Sequence, residues 1–170
     1  MSDTLVTIVA IGLAAVLMFV FPLMTMSDRT DDVSKLTVET ATTEFVDEIR
    51  TTGKITPDKY SKFIENIGST GNTYDVEMEV KVKDENPGKK TTQTAKDKIG
   101  ENVYYSVYTS QIEEKLNANQ DYKLKEGDIV TVKALNTNTT IAQLLRNFLY
   151  RVAGNDTSSI AASHSGIITS

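Results

Sequence analysis

Few residues of this chain have side chains that could do acid–base, nucleophilic or metal chemistry. His164 is the single histidine, and it lies in a tail rich in serine and alanine. The chain has no cysteine that could act as a nucleophile or a thiolate ligand beside it. The sequence therefore predicts no catalytic residue, and we expect that the protein is not an enzyme.

The carboxylates offer one arrangement that would suit a hard cation. Asp75, Glu77 and Glu79 occupy alternate positions, so they would project from one side of a strand, and such cations prefer oxygen ligands. A solvated sheet face explains the same pattern more simply. Glu126-Gly127-Asp128 lacks the ligand spacing and the closing glutamate of an EF-hand, so turn chemistry explains it. We predict no metal site and no cofactor.

Charge and motif content also exclude several classes of ligand. The chain carries 18 basic and 23 acidic residues, a net charge of −5, whereas a nucleic-acid surface needs a basic face that displaces phosphate counterions. It has no glycine-rich phosphate loop, no GxSxG elbow and no HExxH helix. We expect no nucleic-acid partner and no small-molecule substrate.

The first 26 residues are different in kind from the rest. Leu5 to Met26 contains no charged residue, and as an α-helix it would span about 33 Å, enough for a hydrocarbon core of about 30 Å. A cleaved signal peptide would begin with basic residues, whereas this chain begins Met-Ser-Asp-Thr. We predict that residues 1–26 are a retained transmembrane anchor in contact with membrane lipid. A cleaved signal or a buried core helix is the alternative.

Four residues of this segment suggest how it would pack. Gly12, Ala14 and Ala15 are small enough to let another helix approach closely, which makes them the candidate residues for helix–helix assembly. Pro22 removes a backbone donor and clashes with the preceding turn, so a kink or a melted stretch is expected near residues 18–22. Neighbouring helices in a membrane would tolerate that break, so Pro22 belongs to the same candidate set.

Residues 27–56 are predicted to form an amphipathic helix and a connector. From Val33 to Thr52 there is neither glycine nor proline, Gly53 follows as a C-terminal cap, and apolar residues recur at helical spacing. The inward residues would be Val38, Ala41, Phe45, Val46 and Ile49. If this helix continued the anchor, Leu5 to Thr52 would form a rod of about 72 Å. A hinge at Ser27 to Asp32 is the equally weighted alternative.

Residues 57–170 are predicted to form a small head domain. Thr56 and Pro57 would begin a short helix that ends at Gly68, with Tyr60, Phe63, Ile64 and Ile67 facing inward. Strict alternation from Tyr74 to Val82 predicts a strand with one buried face. Further strands are predicted at Val103 to Tyr108 and at Ile129 to Leu135.

Helices and loops complete the predicted head. Ser110 and Glu113 match a capping box before a helix that carries Ile112 and Leu116. Asn86-Pro87-Gly88 is expected to turn the chain, and residues 89–98 are expected to form a mobile polar loop. A final helix is expected to start at Thr139 or Thr140 and to end before Gly154. The tail from Ser158 to Thr169 would add an edge strand or stay loose. The fold class is α+β: a long N-terminal helix, then a small antiparallel sheet packed with short helices.

The chain resembles pilin-like proteins. IVAIGLAAVLMFVFPLM is similar to the N-terminal helix of type IV pilins and pseudopilins, with a proline at a comparable place. Four later stretches resemble small Tad-type pilin-like proteins of Gram-positive conjugation or secretion clusters: FVDEIRTTGKIT, TGNTYDVEMEV, YKLKEGDIVTVKALN and AASHSGIITS. The resemblance implies a helix that anchors the subunit in the membrane and then packs in a filament core, with the head outside the cell.

Two features depart from that family. Prepilins normally have a basic leader, followed after cleavage by a glutamate, but no Lys, Arg or Glu occurs here before position 28, and Asp3 is the only acidic residue available. Arg29 and Lys35 follow the apolar segment, which by charge alone favours a cytoplasmic head. We expect a structural subunit that self-associates or joins pilin-like partners in a surface filament or secretion apparatus. The alternative is a monomeric, membrane-tethered adaptor of a conjugation or secretion complex.

Overall fold

The computed structural model describes residues 2–84, 104–138 and 161–170. Its helices are α1 (Ser2–Ala15), α2 (Phe21–Thr52), α3 (Pro57–Gly68) and α4 (Thr109–Asn117), with a π-helical segment (Val16–Val20) between the first two. Its strands are β1 (Lys54–Ile55), β2 (Tyr74–Lys83), β3 (Tyr104–Tyr108), β4 (Tyr122–Lys123), β5 (Ile129–Asn136) and β6 (Ala161–Ile167). The predicted α+β class, with one long N-terminal helix and antiparallel sheets, is confirmed.

The N-terminal helix is continuous from Ser2 to Thr52, so there is no hinge at Ser27 to Asp32. The disturbance expected near Pro22 appears just before it, as the π-helical turn Val16–Val20 rather than as a melted stretch. Pro22 has no N–H to donate to the carbonyl of Met18, and its ring crowds that turn. The wider π turn accommodates both effects without ending the helix.

The C-terminal half of α2 lies in the core of the head. Its buried apolar residues are those predicted from the helical spacing: Val38, Ala41, Phe45, Val46 and Ile49. Thr42 is buried among them, and its hydroxyl donates to the Val38 carbonyl at 2.7 Å, so no polar group is left unpaired there. Gly53 ends the helix with a φ of +62°, and its N–H donates to the Ile49 carbonyl at 2.8 Å.

The main sheet has four antiparallel strands in the order β3-β2-β5-β6, and β1 pairs with β4 in a separate two-stranded sheet. The alternation predicted for β2 is confirmed, because Val76, Met78 and Val80 are buried while their neighbours face outward. These three lie opposite Ala134, Val132 and Val130 of β5. One apolar sheet face therefore packs against α2, and the other is polar.

From Ala161 onward the predicted C-terminal tail contains the edge strand β6 and is not loose, and its residues 158–160 lie outside the described part of the chain. Strand β6 pairs with β5 from Ala161 to Ile167. Ile168, just past the strand, is 1% exposed, and its carbonyl accepts a hydrogen bond from the Gly127 N–H at 3.0 Å. Burial of Ile168 and pairing with β5 along the whole strand stabilise the extended conformation of β6, although its sequence is rich in small polar residues.

Helix α3 follows the prediction except at Ile64. The Thr56 hydroxyl accepts from the Lys59 N–H at 3.3 Å, and Phe63 and Ile67 are buried. The Phe63 ring stacks on Phe45 of α2 with 4.5 Å between centroids. The expectation that Ile64 faces inward is wrong, because it is 38% exposed. Phe63 and Ile67, four residues apart, form the face of α3 that is buried. Ile64 follows Phe63 by one residue, about 100° around the helix, so it lies beside that face.

The start of α4 is also different from the prediction. The helix begins at Thr109, and Tyr108 is its N-cap residue. The Tyr108 N–H donates to the side-chain oxygen of Gln111 at 3.2 Å, a role that the prediction gave to Glu113. Thr109 is held by β2, since its hydroxyl accepts from the Met78 N–H at 2.7 Å. Glu113 accepts instead from the Tyr60 hydroxyl at 2.6 Å, so the predicted box at Ser110 loses its glutamate.

Some predictions lie outside the described residues. They are the turn at 86–88, the polar loop at 89–98, the first residue of the strand predicted from Val103, and the helix predicted to start at Thr139 or Thr140.

Candidate functional site: the projecting N-terminal helix

A row of exposed apolar side chains runs along the first half of the long helix, and it is the strongest candidate for a functional surface in this structure. Large apolar residues between Leu5 and Met26 are from about 49% to 75% exposed, values that belong to polar surface residues in a soluble domain. They are Leu5, Val6, Ile8, Val9, Ile11, Leu13, Val16, Leu17, Met18, Phe19, Phe21, Leu23 and Met26. Nothing in the described part of the head covers them.

This helix has the dimensions of a membrane span. Within the described part of the chain it is the one helix long and apolar enough to cross a bilayer, and none of its most apolar stretch is buried against the head. Its uncharged part, Leu5 to Met26, measures about 33 Å. A buried core helix, one alternative considered from the sequence, is excluded by that exposure.

The four candidate assembly residues all lie on this projecting part. Gly12, Ala14 and Ala15 belong to α1, and Pro22 lies in the first turn of α2. At three residues apart, Gly12 and Ala15 share one face of the helix, whereas Ala14 lies on the other side. A Cβ atom added to Gly12 would have no atom of the chain within 4 Å. Gly12 therefore makes no close contact with another element of the described chain.

The junction between the projecting helix and the head is short. Ser34 is the first buried residue of α2, about 12 Å along the axis from Met26. The charged residues Asp28, Arg29, Asp31 and Asp32 lie within this interval. Beside it runs a groove of about 510 Å³ between α2 and the end of α3, lined by Arg29, Thr30, Val33, Ser34, Thr37, Ser69 and Thr70.

The carboxylates of β2 lie on the polar face of the main sheet. Glu77 lies 3.8 Å from the Lys133 ammonium, and Glu79 accepts a hydrogen bond from the Ser106 hydroxyl at 2.7 Å. They border a cleft of about 480 Å³ that is also lined by Tyr108, Thr131 and Lys133. No group of three or more acidic or histidine side chains suited to a metal ion occurs among the described residues.

The histidine and two tyrosines with raised pKa values lie in the head. His164 lies in β6 opposite Val132 of β5. Burial, together with the hydrogen bond to Glu113, raises the pKa of the Tyr60 hydroxyl far above its ordinary value. Burial also raises the pKa of Tyr122, and the nearby Tyr105 and Asp128 add to this effect. The Tyr60 hydroxyl joins α3 to α4 through Glu113, and the Tyr122 ring of β4 lies with its centroid 5.0 Å from the Lys115 ammonium of α4.

Two exposed apolar residues were not singled out from the sequence. Val33 and Leu36 are 65% and 64% exposed, and they lie beyond the charged residues that end the apolar segment. Their signal was the presence of two aliphatic residues three apart on the polar side of an otherwise regular amphipathic helix.

Comparison with protein-family models, with curated proteins and with solved structures found no match to this chain.

Proposed function

We propose that this chain is a non-enzymatic, membrane-anchored structural subunit of the pilin-like kind, which assembles through its N-terminal helix with copies of itself or with similar subunits. The observation that supports this function is the single helix from Ser2 to Thr52. Its C-terminal half forms part of the core of the head, and its apolar N-terminal half projects from the head with no part buried.

A rigid projection of this kind suits assembly as well as anchoring. The helix is about 76 Å long, more than twice the thickness of a hydrocarbon core. In a bilayer its apolar half would be covered by lipid, and in an assembly it would be covered by other helices. Either environment removes that surface from water, at about 25 cal/mol per Å². The head would lie at the cell exterior in such an assembly.

The direct test compares the full chain with a variant that lacks residues 1–26. The full chain should stay in the membrane fraction after an alkaline carbonate wash and should form oligomers or filaments visible by electron microscopy after detergent removal. The truncated chain should be a soluble monomer by light scattering. A truncated chain that still polymerised, or a full chain soluble without detergent or self-association, would contradict the proposal. A full chain that is anchored but strictly monomeric would favour the tethered-adaptor function.

A further inference from the structure

Val33 and Leu36 are apolar side chains that the described part of the head leaves uncovered. They are 65% and 64% exposed, although the same helix buries Ser34 and Val38 close by. At 100° per residue, Val33 and Leu36 lie within about 60° of each other and on the side of α2 opposite its buried residues. The described core therefore does not cover them.

A bilayer does not cover them either. If Leu5 to Met26 fills the hydrocarbon layer, Val33 lies about 10 Å and Leu36 about 15 Å beyond it, whereas the headgroup layer adds only about 6 Å. Sinking the helix far enough to bury Leu36 in hydrocarbon would draw in the charged residues between Ser27 and Val33. Charged groups are strongly disfavoured at that depth. Lipid is therefore a poor partner for this part of α2.

The surrounding surface has the form of a helix-docking site. Met26, Arg29, Val33 and Leu36 are spaced by three, four and three residues, the spacing of a helix–helix seam, and all four are exposed. We call these four residues the Val33 stripe. The groove of about 510 Å³ runs along Val33 and is walled on its far side by Ser69 and Thr70. A second helix lying on the stripe would have room beside α2.

We propose that the Val33 stripe, which runs from Met26 at the membrane boundary to Leu36 outside the membrane, is a contact between two copies of this chain, each packing its own stripe on that of the other. This inference rests on the proposed function, because copies anchored in one membrane with the same orientation present the stripe at the same height. Charge also favours a second copy. Arg29 and Asp32 are both exposed on this side of α2 and lie about 4.5 Å apart along its axis, so Arg29 of each copy pairs with Asp32 of the other copy instead of facing the identical arginine.

Disulfide crosslinking tests the contact directly, because the chain has no cysteine of its own. Val33→Cys and Leu36→Cys would be made in the full chain, reconstituted into lipid vesicles and oxidised. Both should give covalent dimers at least fivefold more abundantly than Lys35→Cys. Lys35 is an exposed residue at the same height but on a different side of the helix, paired with Glu39 at 3.8 Å. Dilution with excess cysteine-free chain should reduce the dimer in proportion.

A parallel scan of four consecutive membrane positions separates this inference from the proposed function. Ile11→Cys, Gly12→Cys, Leu13→Cys and Ala14→Cys sample all sides of the apolar segment. If one of them crosslinks while Val33→Cys and Leu36→Cys stay at the Lys35→Cys level, helix association stands and the contact through the Val33 stripe is wrong. If none of the six crosslinks, the proposed assembly is wrong as well. Cysteines at 33 and 36 that are shielded from a water-soluble maleimide without forming dimers would show that something other than a second copy covers them and would overturn the inference.

Discussion

Arg50, near the end of α2, lies directly across the backbone of Gly166 in the edge strand β6. Its Nε donates a hydrogen bond to the Ile167 carbonyl at 3.1 Å, and its own carbonyl accepts from the Thr169 N–H at 3.2 Å. A Cβ atom at Gly166 would overlap the Arg50 side chain at Cδ and Nε. The last strand of the chain is therefore fastened to the end of the long helix by a contact that requires a glycine.

We expect Gly166→Ala to destabilise the head by about 1–3 kcal/mol, because the added methyl group displaces the aliphatic part of Arg50 rather than its mobile end. The measurement is urea unfolding of the full chain in detergent, followed by circular dichroism. Gly68→Ala is the matched control, since no atom lies within 4 Å of its added Cβ. Equal stability of the two variants would show that Arg50 moves aside freely.

The two isoleucines Ile49 and Ile64 should respond very differently to the same substitution. Ile49 is 0% exposed at the centre of the contact between α2 and the sheet, whereas Ile64 is 38% exposed on α3. Ile49→Ala should lower the free energy of unfolding by about 2–5 kcal/mol, which combines lost burial with a cavity. Ile64→Ala should cost less than about 1 kcal/mol. Similar losses in both, measured by the same unfolding experiment, would contradict the packing of α3 described here.

Local patterns in the sequence predicted the individual helices and strands better than they predicted which of these elements lie next to each other. Period-two alternation from Tyr74 identifies which residues of β2 are buried, because side chains alternate across any strand. It cannot say that β2 lies between β3 and β5, since pairing depends on contacts between distant segments. The same limit applies to β6, where burial of Ile168 and the fit of Gly166 under Arg50 hold a tail of weak strand propensity.

The capping error at α4 has a similar origin. Ser110 and Glu113 have the right spacing for a capping box, but Tyr60 of α3 binds Glu113 and Met78 of β2 binds Thr109. Both competing partners are more than 25 residues away in the chain. A local motif fails where tertiary contacts use the same side chains. The long apolar helix, by contrast, was predictable because length and absence of charge are properties of one continuous segment.

The hydrogen bond between Tyr60 and Glu113 should make stability fall at alkaline pH. Burial, then the Glu113 hydrogen bond, raises the folded-state pKa of Tyr60 above the ordinary value of 10.0. The folded protein therefore keeps a proton that the unfolded chain loses, so this contribution is complete below about pH 10 and declines as the pH rises above it.

We expect the free energy of unfolding of the wild type to decrease more steeply than that of Tyr60→Phe as the pH is raised from about 9 to 11. Absorbance titration of the phenolates should show that Glu113→Gln lowers the Tyr60 pKa, although burial keeps it above the ordinary value. Parallel pH profiles for the wild type and Tyr60→Phe would mean that Tyr60 ionises normally in the folded head.

Gly12 allows the assembly role of the helix to be tested without disturbing the head. No atom of the chain lies within 4 Å of a Cβ added there, so Gly12→Ile should leave the fold and the thermal transition of the head unchanged. If Gly12 and Ala15 form a small-residue surface that lets a second helix approach, the bulky side chain should weaken self-association in detergent roughly tenfold, equivalent to about 1.4 kcal/mol. Sedimentation equilibrium gives the dissociation constant directly.

Ile8→Leu, which keeps side-chain volume on the same segment, should associate as the wild type does. Unchanged association of Gly12→Ile would place the helix contact on another face, whereas a loss shared by both variants would indicate a general sensitivity of the apolar segment rather than close packing at Gly12.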